Sequence, residues 1–148
     1  MLDTATTSSE IDLTGLTPTQ TSVHGGGVPE RAVDGDTNGN WGGNSCTHTS
    51  SANNPWWRVH LPGRHMITKV VLYNRSDACS DRLSPVYVYV QESSADKLCG
   101  SYTTSSVDVP SLSFKCPTQM YGDILWVEVR GTSKVLTLCE VRVFGWKL

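Results

Sequence analysis

The chain has 148 residues and a mass of 16.2 kDa, with 38% hydrophobic side chains, enough for one domain built on a single core. Twelve basic against fourteen acidic residues give a net charge of -2, which leaves no basic footprint for nucleic acid or an anionic membrane surface. Apolar runs such as Ile124-Leu125-Trp126-Val127 are only a few residues long, against the roughly 20 that span a bilayer, so direct membrane insertion is excluded and a soluble protein is expected.

Residues 1–10 are rich in Thr and Ser and read as a flexible tail or linker, with one domain over residues 11–148. They lack the basic flank and apolar stretch of a secretory signal. Gly25-Gly26-Gly27 and residues 34–44 are turn-rich, and strands are predicted over residues 56–61 and 67–73. In Val86-Tyr87-Val88-Tyr89-Val90 the valines share one face of a strand. Residues 93–106 read as a loop and 111–115 as a strand. Leu125, Val127 and Val129 alternate with Trp126, Glu128 and Arg130, and over residues 138–144 Cys139, Val141 and Val143 alternate with Glu140 and Arg142. No stretch carries a helical stripe. The pattern predicts an all-β antiparallel sandwich whose end loops carry the function.

Five cysteines with no C-x-x-C pair point to disulfides and an oxidising compartment, with one thiol left over; five buried reduced cysteines are the plainer alternative. No nucleophile elbow, zinc-protease helix, P-loop or dinucleotide fingerprint is present, so an enzyme is not expected. The run Asp34-Gly35-Asp36-Thr37-Asn38-Gly39 matches the first half of an EF-hand, but the twelfth position is Ser45 rather than Glu; it reads equally as a plain Asp/Asn/Gly turn. Arg75 and Arg82 flank a short segment holding Asp77 and Asp81. Two guanidinium forks suit an oxygen-rich ligand, yet surface salt bridging is the commoner outcome. Asn74-Arg75-Ser76 is formally a glycosylation sequon, and a glycan there would crowd any site built on Arg75.

Several separated motifs together resemble the F-type, or fucose-binding, lectins, the group that includes eel agglutinin. They are His48 followed by Arg75-Ser76-Asp77 and Arg82, the flanking Asn44-Ser45-Cys46-Thr47-His48 and Asn54-Pro55-Trp56-Trp57-Arg58-Val59, and the ending Leu138-Cys139-Glu140-Val141-Arg142-Val143. The resemblance runs over residues 11–144. It implies a discoidin-like jelly roll of about eight strands, with a shallow site among the loops at one end. His48, Arg75 and Arg82 would be the polar contacts to the O4, O3 and ring oxygen of terminal α-L-fucose. Trp41, with His24 beside it, would wall the sugar's methyl group, although Trp41 could equally be a core aromatic.

The resemblance further implies a structural Ca²⁺ held by the carboxylates of Asp34 and Glu140, by Ser45, and by the carbonyls of Arg31, Asp36 and Cys139. It also implies disulfides Cys46–Cys139 and Cys99–Cys116. Where many members carry two adjacent cysteines under the sugar, this chain has Ala78-Cys79, which leaves Cys79 as the odd thiol at the site. The expected partners are fucosylated glycans, the expected location is extracellular with any leader removed, and a homo-oligomer would supply avidity. A discoidin-like adhesion module binding protein or phospholipid surfaces through Trp41 or the Trp56-Trp57 pair is the alternative.

Overall fold

The computed structural model describes residues 7–104 and 109–148. Among these, eight strands form: β1 (Ser9–Ile11), β2 (Thr19–Gln20), β3 (Trp56–Tyr73), β4 (Val86–Glu92), β5 (Ala95–Tyr102), β6 (Ser111–Lys115), β7 (Tyr121–Val129) and β8 (Glu140–Lys147). Every pairing between them is antiparallel. Three short 3-10 turns, Pro29–Val33, Trp41–Gly43 and Ser80–Leu83, sit in the connections.

The two strands expected over residues 56–61 and 67–73 are one strand, β3, and it organises the sandwich. Its first part pairs with β2 and β7, its second with β6 and β8. The register breaks between His60 and His65, around Pro62 and Gly63, where glycine takes φ 103°. Such a bulge bends a strand and increases its twist, which lets β3 serve both layers. The sheet order is β1-β8-β3-β7-β4-β5.

Alternation places Trp57, Val59, Ile67, Val70 and Leu72 of β3 in the core with Val86, Val88 and Val90 of β4. Leu125, Val127 and Val129 of β7 and Val141 and Val143 of β8 close it. Burying each such side chain is worth about 1.5–3 kcal/mol.

Two expectations are corrected. Residues 95–102, assigned to a loop, form β5, hydrogen-bonded along β4 from Val86–Tyr102 to Glu92–Ala95. Ser9 and Glu10, assigned to the tail, are in β1 and pair with Gly145 and Phe144 of β8. The rest of that expected tail, residues 1–6, and the loop residues 105 and 106 lie outside the described residues. The expected disulfides are both present, Cys46–Cys139 and Cys99–Cys116, and Cys79 is free and exposed.

Candidate functional site: a loop bowl of imidazole and guanidinium groups

His48 reaches the site because its neighbours are anchored. Thr47 and Thr49 are buried and bind residues 136–138 in both directions: each threonine N–H donates to a leucine carbonyl, and each hydroxyl accepts from a leucine N–H. The disulfide at Cys46 fixes the same segment to the start of β8. Between two inward threonines, His48 turns outward. Its Nδ1 lies 2.7 Å from the Thr49 carbonyl, which can only accept, so Nδ1 carries the proton and Nε2 keeps its lone pair. Arg82 Nη1 donates toward Nε2 at 3.3 Å. Burial holds the His48 pKa below its ordinary 6.5; the Thr49 bond opposes this, and the charges of Arg82 and Arg75 and the neighbouring His24 reinforce it.

Arg75 is bound side-on by Asp77, with Nε to Oδ1 at 2.8 Å and Nη2 to Oδ2 at 3.2 Å. Two of the five guanidinium N–H groups are used, and three remain. Asp77 also accepts the Trp41 N–H at 3.2 Å, and its pKa is lowered to about 2, chiefly by the hydrogen bond from Arg75. The salt bridging expected of this segment is therefore present, and it aims Arg75 without using up its donors.

The other loops close around this pair. Trp41 stands in the 3-10 turn Trp41–Gly43, half-buried, so it is not a core aromatic. Its ring meets His48 edge-on at 5.3 Å and has the Arg31 and Arg75 guanidinium carbons each 5.5 Å from its centroid. The His24 ring lies 5.0 Å from that of His48. Gly27 allows this closeness: a Cβ there would lie 2.5 Å from the His48 nitrogen. Gly39 does the same where residues 34–44 press on residues 74–76, a Cβ lying 2.9 Å from the Asn74 carbonyl oxygen. Asn74 itself is 3% exposed, its amide donating to the Ser80 and Val109 carbonyls, so the sequon is closed in the folded chain. Cys79 begins the 3-10 turn that carries Arg82, in the left-handed conformation at φ 57°. A shallow cavity of about 270 Å³ adjoins Arg82, lined also by Asp81, Ser84 and residues 133–135.

Behind the bowl, residues 34–42 form a ladder in which Asp34, Asp36, Asn38 and Asn40 side chains each accept the N–H two residues on, at 2.8–3.0 Å. Ser45 Oγ donates to the Asn38 carbonyl. Glu140, 4% exposed, accepts the Gly35 N–H at 2.9 Å through Oε2, while its buried Oε1 has no partner. Its carboxyl faces that of Asp34, and burial first, then Asp34, pushes its pKa up to about 8. A buried carboxylate oxygen without a partner, facing a second carboxyl group, fits a hard cation such as Ca²⁺. Among the described residues no three His, Cys, Asp or Glu side chains converge, so further ligands would have to be hydroxyl and carbonyl oxygens. Arg31 donates from its guanidinium to the Cys46 carbonyl at 3.3 Å, and Cys139 is tied by its N–H to Tyr73 and by its sulfur to Cys46.

Residues 31–123 match the NedA-like, galactose-binding domain family. A fucolectin of Anguilla anguilla is 36% identical over 120 residues, covering 76% of this chain and 73% of its own, and fucolectin-1 of Anguilla japonica is 35% identical over 124 residues, covering 78% and 67%. The chain belongs to the fucolectin, or F-type lectin, family. The solved serum fucolectin of striped bass, Morone saxatilis, superposes with a TM-score of 0.85 at 31% identity, covering 94% of this chain; the chain spans half of that protein. A Streptococcus pneumoniae fucose-binding module superposes at 0.81 with 30% identity, covering 94% and 99%. The lectin domain of lectinolysin, complexed with Lewis b antigen, superposes at 0.79 with 29% identity, covering 90% and 94%. These relatives are lectins and binding modules, and this F-type lectin domain is likewise not an enzyme. Reading the sequence alone named Asp77 as a salt-bridge partner but not as the group that aims Arg75, and missed Thr47 and Thr49 as anchors. The Thr-x-Thr alternation about His48 was the available signal for the anchors.

Proposed function

We propose that this F-type lectin domain binds terminal α-L-fucose on glycans, with His48, Arg75 and Arg82 as its polar contacts and Trp41 and His24 beside the methyl group. The observation that carries this is the convergence on one bowl of a neutral imidazole from the connection before β3 and two guanidinium groups from the connection after it. A sugar's ring oxygen only accepts hydrogen bonds, and arginine only donates; its hydroxyls do both, and His48 Nε2 can accept from one. The relatives named for fucose support the sugar. The cavity beside Arg82 suits the next residue of the glycan. Two disulfides and the serum origin of the striped bass relative support an extracellular protein, and an oligomer would convert weak single-site binding into avidity.

Calorimetric titration with methyl α-L-fucoside and methyl α-L-galactoside tests this, because the two differ only in a methyl against a hydroxymethyl. The fucoside should bind in the range of about -4 to -8 kcal/mol and the galactoside more weakly. No heat from the fucoside rejects the proposal. A surface-adhesion role would rest on Trp41, since Trp57 is in the core and Trp56 is half-buried on a sheet face.

Affinity should hold steady from high pH down to 6.5 and fall below it. The His48 pKa lies under 6.5, so Nε2 is an acceptor above that pH; protonation removes the acceptor and costs roughly tenfold. Stability moves the same way, because the unfolded chain takes the proton more readily than the folded one. His48→Gln, which keeps an acceptor that does not titrate, should flatten the affinity profile.

Calcium would be held by Asp34 and Glu140 through carboxylates, Ser45 through its oxygens, and Arg31, Asp36 and Cys139 through carbonyls, and would supply rigidity to the loops. Saturating Ca²⁺ at about 100 times its Kd adds ~2.7 kcal/mol, a rise of roughly 5–10 °C in Tm, reversed by chelator. The rise should be larger at pH 8 than at pH 6. The Glu140 pKa is raised, so the calcium-free fold loses stability as pH climbs from 4.5 through about 8. Glu140→Gln should abolish the calcium response without unfolding the metal-free protein; an unchanged response excludes Glu140 as a ligand.

A further inference from the structure

Away from the loops, the outward face of β3, β7 and β4 departs from the polar surface a sandwich normally shows to water. Register pairs Trp56 with Glu128 and Arg58 with Trp126 across β3 and β7, then Glu128 with Tyr87 and Trp126 with Tyr89 across β7 and β4. Two tryptophans and two tyrosines thus stand on the solvent side of one sheet. Cross-strand stabilisation accounts for part of this: Tyr89 stacks on Trp126 at 4.4 Å, and Arg130 packs over Tyr87 at 3.9 Å. Arg58 lies over the Trp56 ring at 4.7 Å, and these two with Gln91, Trp126 and Glu128 surround a cavity of about 280 Å³.

We propose that this cavity is a second saccharide site, separate from the loop bowl, taking a neutral pyranose of a glycan. The lining is amphipathic in the way a sugar ring is: indole surface for its C–H face, and polar groups at the edge for its hydroxyls. Arg58 offers donors only, Glu128 acceptors only, and Gln91 both. The charges balance, Arg58 and Arg130 against Glu128 and Asp96, which favours an uncharged ligand. The walls are preset. Asp96 accepts from the Trp126 indole at 2.9 Å and from Gln91 at 3.1 Å, and Glu128 accepts from Arg130 at 3.1 Å, so little ordering remains to be done on binding. At the lower edge of the ~300–1,000 Å³ usual for small-ligand sites, the space holds a small ring rather than a protein segment.

The test uses ¹⁵N-labelled protein carrying Arg75→Ala and Arg82→Ala, so that the loop bowl contributes nothing. It is titrated with D-galactose, N-acetyl-D-glucosamine, D-mannose and lactose while the Trp56 and Trp126 indole N–H resonances are followed. At least one sugar should shift both resonances saturably, with a Kd on the order of millimolar. Adding Arg58→Met should weaken that binding at least tenfold, and Trp126→Ala should remove the Trp56 shift; in the otherwise wild-type chain, neither should alter the titration with methyl α-L-fucoside. The inference is overturned if none of the four sugars moves either indole. It is equally overturned if the shifts follow protein concentration instead, which marks the face as a contact between copies of the chain, or if Arg58→Met leaves them intact. Because the readout sits on the sheet face, failure of fucose to bind the loops would not affect it.

Discussion

Arg82→Ala and Arg75→Ala each lower affinity for methyl α-L-fucoside by about a hundredfold or more, to below calorimetric detection. A hydrogen bond from a charged donor is worth about 1.5–3 kcal/mol, and a guanidinium fork can make two to neighbouring sugar oxygens, so losing one fork removes about 3 kcal/mol or more. A single bowl that starts between micromolar and millimolar has no reserve to absorb that loss. The two substitutions act differently on what remains. Without Arg82, His48 Nε2 loses the guanidinium donor it has in the bowl and faces water, while the Arg75–Asp77 pair stays intact. Without Arg75, Asp77 is left as an unpaired anion beside the Trp41 backbone, so the 41–43 turn shifts as well. Arg75→Lys should not rescue binding, because an ammonium cannot engage Asp77 side-on and still present a fixed fork to the sugar. Stability barely changes in either case: Arg75 and Asp77 side chains are 15% and 30% exposed, and such pairs contribute about 0–1 kcal/mol. Tm within a few degrees of wild type together with an unchanged fucoside titration would reject the site.

Removing the Cys46–Cys139 disulfide by Cys46→Ser with Cys139→Ser destabilises the domain by about 4–5 kcal/mol in the chain-entropy model, since the bridge closes a loop with a sequence separation of 93. The Cys99–Cys116 bridge, at a separation of 17, is worth about 3 kcal/mol. Against a total stability of about 5–15 kcal/mol, the first loss takes a third or more. The two also separate by function. Cys46 precedes the threonine-anchored segment that presents His48, and Cys139 precedes Glu140, so losing that bridge loosens both the sugar contact and the proposed calcium ligand. Cys99 within β5 and Cys116 just past β6 are joined away from the site loops, and their removal should cost stability while leaving fucoside affinity unchanged. Denaturant melts paired with titrations on the two double variants check this; equal midpoints, or an affinity loss in the Cys99–Cys116 variant alone, would contradict it.

The strands that alternate cleanly were legible from the chain. β4, β6, β7 and β8 emerge within a few residues of their true bounds because one face of each is core and the other is water. β5 was not, because it lies at a sheet edge and its pattern is broken. Leu98 points to solvent, Gly100 packs its backbone against Phe114, and the register slips opposite Val88 and Tyr89, so no period of two survives. β1 was missed because three residues are too few to show a period, and only pairing with β8 makes them a strand.

For the site, residue types and spacing alone favoured surface salt bridging for Arg75 and Arg82, and it was the resemblance to one lectin family that joined them with His48 as a set. Which way those groups point was settled only in three dimensions. The His48 tautomer depends on the Thr49 carbonyl, the aim of Arg75 on Asp77, and the solitary oxygen of Glu140 on a loop more than a hundred residues earlier. The aromatic face of β3, β7 and β4 belongs to the same class. Trp56, Arg58, Trp126 and Gln91 come from three strands, and side-by-side pairing brings them to one cavity that no spacing along the chain could display, because hydrogen-bonded register, and not sequence distance, sets which side chains meet.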